Sequence, residues 1–353
     1  MKIAILNDTH AGIRNSSELF IDYQEKFYKE VFFPYLLEND IKQILHLGDY
    51  YDNRKFINFK ALNRNRLHFL EELRKHGIAM DIIPGNHDTF YKNTNDLNSL
   101  KELLGHYMNE VHIVMEPTVI TYDDLDVALV PWICAENYEK SMEFIRSCKA
   151  PICGAHLELA GFEMARGSTC PEGMDASIFK KFELVLSGHF HVKSERDNVM
   201  YLGAQFEFFW SDAHDPKFFH VLDTVTREVT PVRNPLTLFE RIRYDDTQNE
   251  YFDYDVSKLA NKFVKIVVVN KKDPFTFDRF IDRIQNEDIY ELKIQENFSE
   301  FIGESINDED ISLEDTTTLL DTYIEAVDTE LDKDKIKKEM KELMREAQAL
   351  EIS

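Results

Sequence analysis

The sequence lacks long apolar runs, paired cysteines and positive charge, and each shortage narrows what the chain can be. No run of about 18 apolar residues occurs, so no membrane-spanning helix is expected. The opening MKIAILNDTH holds an apolar stretch too short for an export signal and turns polar at once. The four cysteines, Cys134, Cys148, Cys153 and Cys170, form no CxxC pair. In a chain without an export signal they read most simply as reduced, buried thiols, and the expected location is cytoplasmic. No segment repeats at a fixed period. Basic residues are outnumbered, with 41 Lys and Arg against 65 Asp and Glu, a net charge of −24. A protein that holds DNA by its own charge alone is usually basic. Two features soften that conflict. Clustered carboxylates can bind divalent cations and reverse the local field. Much of the acid also sits in one stretch, since residues 297–332 contain twelve Asp or Glu and no Lys or Arg. Such a run reads as a solvated segment.

What is present is ample for a packed core. The 353 residues are 43% hydrophobic, which suggests one large domain and a smaller one. Ile3–Asn7, Gln43–Leu47, Ala79–Ile83, Val127–Pro131, Pro151–Gly154 and Leu184–Ser187 read as buried strands. Helical patterns lie between several of them, at Glu18–Leu37, Phe59–His76 and Glu136–Cys148, which indicates an α/β fold. A β-rich stretch follows, at Val199–Leu202, Phe218–Asp223, Glu228–Val232 and Leu236–Tyr244. The strand Phe263–Val269, the helix Phe275–Asn286 and the strand Ile289–Ile294 make a β-α-β unit, read as a small second domain. Helical stretches Leu313–Val327 and Lys333–Leu350 come last, with apolar stripes that need a partner surface.

Five short motifs stand where apolar strands stop, the place where ligands bind in α/β sheets. They are Asp8-Thr9-His10, Gly48-Asp49-Tyr50-Tyr51-Asp52, Gly85-Asn86-His87-Asp88, Gly154-Ala155-His156 and Gly188-His189-Phe190-His191. Residues two apart, such as Asp8 with His10 and His189 with His191, can point to one side of an extended segment. Gly48 permits a tight turn that places Asp49 at the sheet edge, where one carboxylate could bridge two cations. Asn86 offers an amide oxygen, His87 a proton, and Asp88 is expected to orient His87. Taken singly, each motif is equally a turn or a structural histidine. Taken together they share one design of strand, small residue, then Asp, Asn or His. Two Asp, one Asn and four His form a ligand set without thiolate, with His87 left over. Such mixed ligation suits a pair of divalent cations, Mn²⁺ first and Mg²⁺ second.

The motifs DTH, GDYYD, GNHD, GAH and SGHFH, in that order, resemble those of the calcineurin-like metallophosphoesterases. Within that superfamily the chain is most similar to the nuclease subunits of SbcCD-type complexes, above all those of tailed phages. GDYYDNRK, VPWIC, GAHLELAGF and YLG add to the likeness, which covers residues 1–245 well and the remainder loosely. The resemblance implies a sandwich of two mixed sheets flanked by helices. It implies that Asp8, His10 and His191 hold one metal, that Asn86, His156 and His189 hold the other, and that Asp49 bridges them. His87 is then the catalytic histidine that acts on the leaving oxygen. Relatives with His in place of Asp52 leave no role to carry over to that residue.

The same resemblance implies the domain plan and the partners. Residues 1–245 form the nuclease domain, 246–296 a DNA-capping domain, 297–312 an acidic linker, and 313–353 helices that dock on an SMC-like coiled-coil ATPase subunit. Lys258, Lys262, Lys265, Lys271 and Lys272 could contact phosphates from the capping domain. A homodimer built through early helices is implied too, and Phe20, Tyr23, Phe27 and Tyr28 are either part of such a surface or core. The expected activity is manganese-dependent 3′→5′ exonuclease and single-strand endonuclease cleavage, in recombination, repair and replication. For a phage-encoded protein the location is the host cytoplasm. A phosphatase or cyclic-nucleotide phosphodiesterase on the same fold is the alternative, and a non-catalytic scaffold is a third.

Overall fold

A computed structural model describes residues 1–165, 167–296 and the positions 333, 335–337 and 340. The acidic linker expected at 297–312 and most of the helical region expected at 313–353 lie outside the described residues. The described part divides into two compact units, Met1–Leu238 and the chain from Phe239 onward.

The first unit is built on two six-stranded mixed sheets. One runs in the order Val229–Arg233, Phe218–Asp223, Lys2–Leu6, Gln43–His46, Ala79–Ile82 and Val111–Ile113. The other runs Ser194–Arg196, Val199–Tyr201, Leu184–Gly188, Ile152–His156, Leu125–Val130 and Thr118–Tyr122. Neighbouring strands at the centre of each sheet are parallel, and antiparallel partners sit toward the margins. The α/β sandwich expected from the motif order is therefore the fold.

The apolar runs are continuous because both faces of each sheet are covered. Along Leu125–Val130, Val127 and Leu129 face the space between the sheets, with Ile3, Ile5, Leu45, Leu47 and Leu186. Ala128 and Val130 face the opposite side, with Ile145, Phe179 and Tyr201. The alternation follows the two-residue period of a strand. Gly154 leaves room for these side chains: a Cβ there would stand 3.0 Å from Leu47 and 3.1 Å from Leu129.

The helical segments after Lys2–Leu6 and Gln43–His46 cover the first sheet. Each contains a wider, π-type turn at its middle, Tyr28–Phe32 within 18–38 and Arg66–Leu70 within 59–76. Phe20, Tyr23, Phe27 and Tyr28 are all buried. Phe27 and Tyr28 pack on Phe206, with Phe69 and Phe219 completing the cluster. The early aromatic stripe is thus core, and it is not available as a dimer surface.

The second unit is a three-stranded parallel sheet, Phe239–Asp245, Phe263–Asn270 and Glu291–Gln295. Helix Pro274–Gln285 packs on it through Phe277, Phe280, Ile281 and Ile284, spaced as one helical face. Asp273 caps that helix by accepting from the Phe275 main-chain N–H (3.1 Å), and Pro274 fits its first turn. The boundary expected after residue 245 moves to 238/239. The strand read as the last of the large domain pairs residue by residue with Phe263–Asn270, so it belongs to the small sheet.

Candidate metal centre

All five motifs lie at or just beyond the carboxyl ends of parallel strands, and the turns after Lys2–Leu6 and Gln43–His46 are bound to one another. The Asp8 main-chain N–H donates to Gly48 O (2.9 Å), that of His10 to Asp49 O (3.0 Å), and that of Ala11 to Tyr50 O (2.8 Å). The chain turns so sharply that Asp8, His10, Asp49 and His189 all take positive φ, at 47°, 45°, 55° and 92°. Non-glycine residues rarely do so, and the cost is of order 1–3 kcal/mol each where it is not compensated locally. At Gly85 a Cβ would stand 2.1 Å from Asp49 Oδ1, so only glycine lets the two loops approach this closely.

The side chains form two clusters joined by one carboxylate. In the first, His10 Nε2 lies 3.1 Å from His191 Nε2, and both nitrogens lie 3.9 Å from Asp8 Oδ1. In the second, Asn86 Oδ1 lies 2.9 Å from both His156 Nε2 and His189 Nδ1. Asp49 Oδ2 stands between them, 3.8 Å from His10 Nε2 and 3.3 Å from His156 Nε2. The candidate ligand atoms of Asp8, His10 and His191 lie within 4.8 Å of one another, as do those of Asp49, His156 and His189. All seven residues anticipated from the motifs are thus brought together. Carboxylate oxygens, an amide oxygen and imidazole nitrogens converging in a buried space are the donor set that holds divalent cations. The His10 and His191 Nε2 atoms lie 3.1 Å apart and aim at one point, where their lone pairs can serve one cation together. The residues present fit a metal pair.

Asp8 and His156 are held from behind. Asn7 Nδ2 donates to Asp8 Oδ2 (2.6 Å) and Gly203 O (2.9 Å), and the His189 main-chain N–H donates to Asp8 Oδ2 (3.0 Å). His156 Nδ1 meets Leu47 O at 2.7 Å, which turns Nε2 toward Asp49. Trp132 packs on His156 and His189, with ring centroids 5.9 and 5.3 Å away.

His87 lies at the junction of the clusters. Its main-chain N–H donates to Asp49 Oδ1 (2.8 Å), and its ring sits edge-on to His10 at 4.7 Å. Its Nδ1 meets the main-chain oxygen of Asp52 at 2.6 Å. This corrects the expectation that Asp88 orients His87. The Asp88 carboxylate accepts instead from the main-chain N–H groups of Gly85 (2.9 Å), Tyr50 (3.1 Å) and Tyr51 (3.1 Å). It ties the Gly85–His87 turn to the Asp49–Asp52 turn, and burial next to Asp49 pushes its carboxyl up to about 6. The Asp52 carboxylate lies 3.3 Å from His10 Nδ1, an ion-pair distance without hydrogen-bond alignment.

Electrostatics separates the groups. Burial opposes charge on His156, but Asp49 outweighs it and lifts the imidazole to about 9. Burial alone would also raise Asp49; the imidazoles of His156, His87 and His10 hold it well below the carboxylate range instead. Asp8 is raised, chiefly by burial. His191 is held far below its ordinary value by burial, with His10 and the Lys217 ammonium adding to the effect, so its ring is neutral. Motif reading missed Trp132, Asn7 and Lys217. Trp132 follows the strand Leu125–Val130 and so carried a positional signal; Lys217 carried none.

The chain was compared with known proteins. The family model described as calcineurin-like phosphoesterase matches residues 1–193. The chain is 30% identical over 336 residues to Exonuclease subunit 1 of Enterobacteria phage T4, covering 95% of each. It is 17% identical to a solved archaeal phosphodiesterase, at a TM-score of 0.34, over 66% of this chain and all of that one. That superposition is too loose to add weight. With the family model spanning more than half the chain and ending just past the last of the five motifs, this protein belongs to the calcineurin-like phosphoesterases and is a hydrolase of phosphate esters.

Proposed function

We propose that the chain is a two-metal nuclease subunit that hydrolyses DNA phosphodiesters. The observation that carries this is the single Asp49 carboxylate between two ligand clusters, and the similarity to a phage exonuclease subunit supports DNA as substrate. Asp8, His10 and His191 would hold one cation and Asn86, His156 and His189 the other, with the Asp49 carboxylate shared between them. When bound, such a pair activates a water and neutralises charge on the phosphate oxygens, and Mn²⁺ fits the mixed ligands best. The protein fixes geometry through the positive-φ turns and keeps His191 neutral for ligation. His87 delivers a proton to the departing sugar oxygen from Nε2, because Nδ1 is engaged by Asp52 O.

The finer reading keeps the 3′→5′ exonuclease and single-strand endonuclease activities, a role in recombination and repair, and an SMC-like ATPase that binds through residues 313–353. It also keeps a homodimer, through a surface other than the buried 18–38 aromatics, and a DNA-capping role for the small unit. Duplex DNA, single-stranded DNA and a p-nitrophenyl phosphodiester should be compared with Mn²⁺, for wild type, Asp49→Asn and His87→Ala. DNA cleavage should be metal-dependent and lost in Asp49→Asn. His87→Ala should retain both ions by metal analysis yet lose about 10²–10⁴ in turnover. Preference for the small diester over either DNA would contradict the nuclease reading.

A further inference from the structure

Asp8 and His10 come from one turn of the first sheet and are pinned to the Gly48–Tyr50 turn. His191 completes that cluster from the other sheet, in the middle of the loop that joins Leu184–Gly188 to Ser194–Arg196. Two contacts hold that loop across the gap: the His189 main-chain N–H on the Asp8 carboxylate (3.0 Å), and a buried cation that grips His191 itself. Lys217 is 3% exposed. Its Nζ donates to the main-chain oxygen of His191 (3.1 Å), to Asp212 Oδ1 (2.7 Å) and to Asp215 Oδ2 (2.9 Å), which uses every proton of the ammonium. Lys217 leads directly into the first-sheet strand Phe218–Asp223, so its side chain reaches from one sheet to the loop of the other.

The partner carboxylate extends the clamp to the cluster's apolar wall. Asp212 Oδ2 accepts from the main-chain N–H groups of Phe208 (2.8 Å) and Phe209 (2.9 Å). The Phe208 ring sits edge-on to His10 (5.5 Å) and near His191 (5.3 Å), and Phe209 lies parallel to His191 at 6.1 Å. The Ala204 N–H also donates to His191 O (3.1 Å), but it lies on the same side as the loop and does not bridge the sheets. A buried ion pair is a poor way to gain stability, since apolar residues of like volume serve as well. It does fix one geometry.

We propose that Lys217 is a positioning residue for the Asp8–His10–His191 half of the metal centre. It locks the second-sheet loop onto the first sheet, so that the His191 imidazole meets Asp8 and His10. This rests on the metal reading above and assigns Lys217 no contact with substrate or cation.

The test is Mn²⁺ titration of the full chain, by calorimetry and electron paramagnetic resonance, with folding checked by circular dichroism. Wild type should bind two ions and show a spin-coupled pair. Lys217→Met should keep one ion at wild-type affinity, weaken the other at least ~10-fold, and lose the coupled spectrum. If Lys217→Met does not fold, K217M/D212N/D215N removes the unpaired buried carboxylates and is read the same way. A folded variant that binds both ions with unchanged affinity and coupling overturns the proposal alone. Wild type that binds no pair overturns the metal reading and this proposal with it.

Discussion

His156 shows how one residue can link protons to metal. Its ring is buried, its Nδ1 is engaged by Leu47 O, and Asp49 lifts it to about 9, so near neutral pH the free protein carries a proton there. Ligation needs the neutral ring, so a cation must displace that proton. Apparent Mn²⁺ affinity should therefore rise with pH up to about 9, by close to tenfold per unit for one proton. Calorimetry in buffers of different ionisation enthalpy checks this, and a titration that releases no proton near pH 7.5 would contradict it. At this scale the motif residues were legible because strand-end Asp, Asn and His are a chemical signature. The roles of Asp88 and Asp52 were not. Which atom of a loop turns toward His87 depends on main-chain geometry that spacing does not encode.

The turns between strands and helices are the elements that make the site. The Gly85–His87 turn touches the Asp49 turn so closely that a methyl group at Gly85 would overlap the Asp49 carboxylate. Gly85→Ala should therefore displace Asp49, weaken metal binding at least ~10-fold, and reduce the stabilisation that Mn²⁺ gives against heating. Thermal melts with and without Mn²⁺ decide, and an unchanged metal-dependent shift would contradict the account. Strands were legible because their apolar runs are short and bounded by turn residues. The π-type turns at Tyr28–Phe32 and Arg66–Leu70 were not, since they leave no mark on periodicity over so few residues. The misplaced boundary has a similar cause. Phe239–Asp245 alternates like any strand, and only its partner shows which sheet it joins.

Across the whole molecule, buried histidines set part of the acid response. Burial holds His46 and His220 at about 3, and neither His220 nitrogen has a hydrogen-bond partner. An unfolded chain protonates both near pH 6.5. Above 6.5 they contribute nothing; below it the unfolded state gains protons that the folded state refuses, and stability falls until about pH 3. One such group costs about 2 kcal/mol at pH 5. In the metal-free protein His156 acts in the opposite sense, its stabilisation present below pH 6.5 and lost as pH rises through about 9. Melting temperature between pH 6.5 and 5 should fall less steeply in His220→Phe than in wild type, and an equal slope would contradict this. The overall sandwich was legible from motif order, whereas the sheet pairing that brings seven distant residues to one place was visible only in the fold.

The central claim is the paired-ion cage itself. Anomalous diffraction from a manganese-soaked crystal tests it most directly. It should show two peaks about 3.5–4 Å apart, one among Asp8, His10 and His191, the other among Asn86, His156 and His189, with Asp49 between them. A single peak, or none among these side chains, would contradict it.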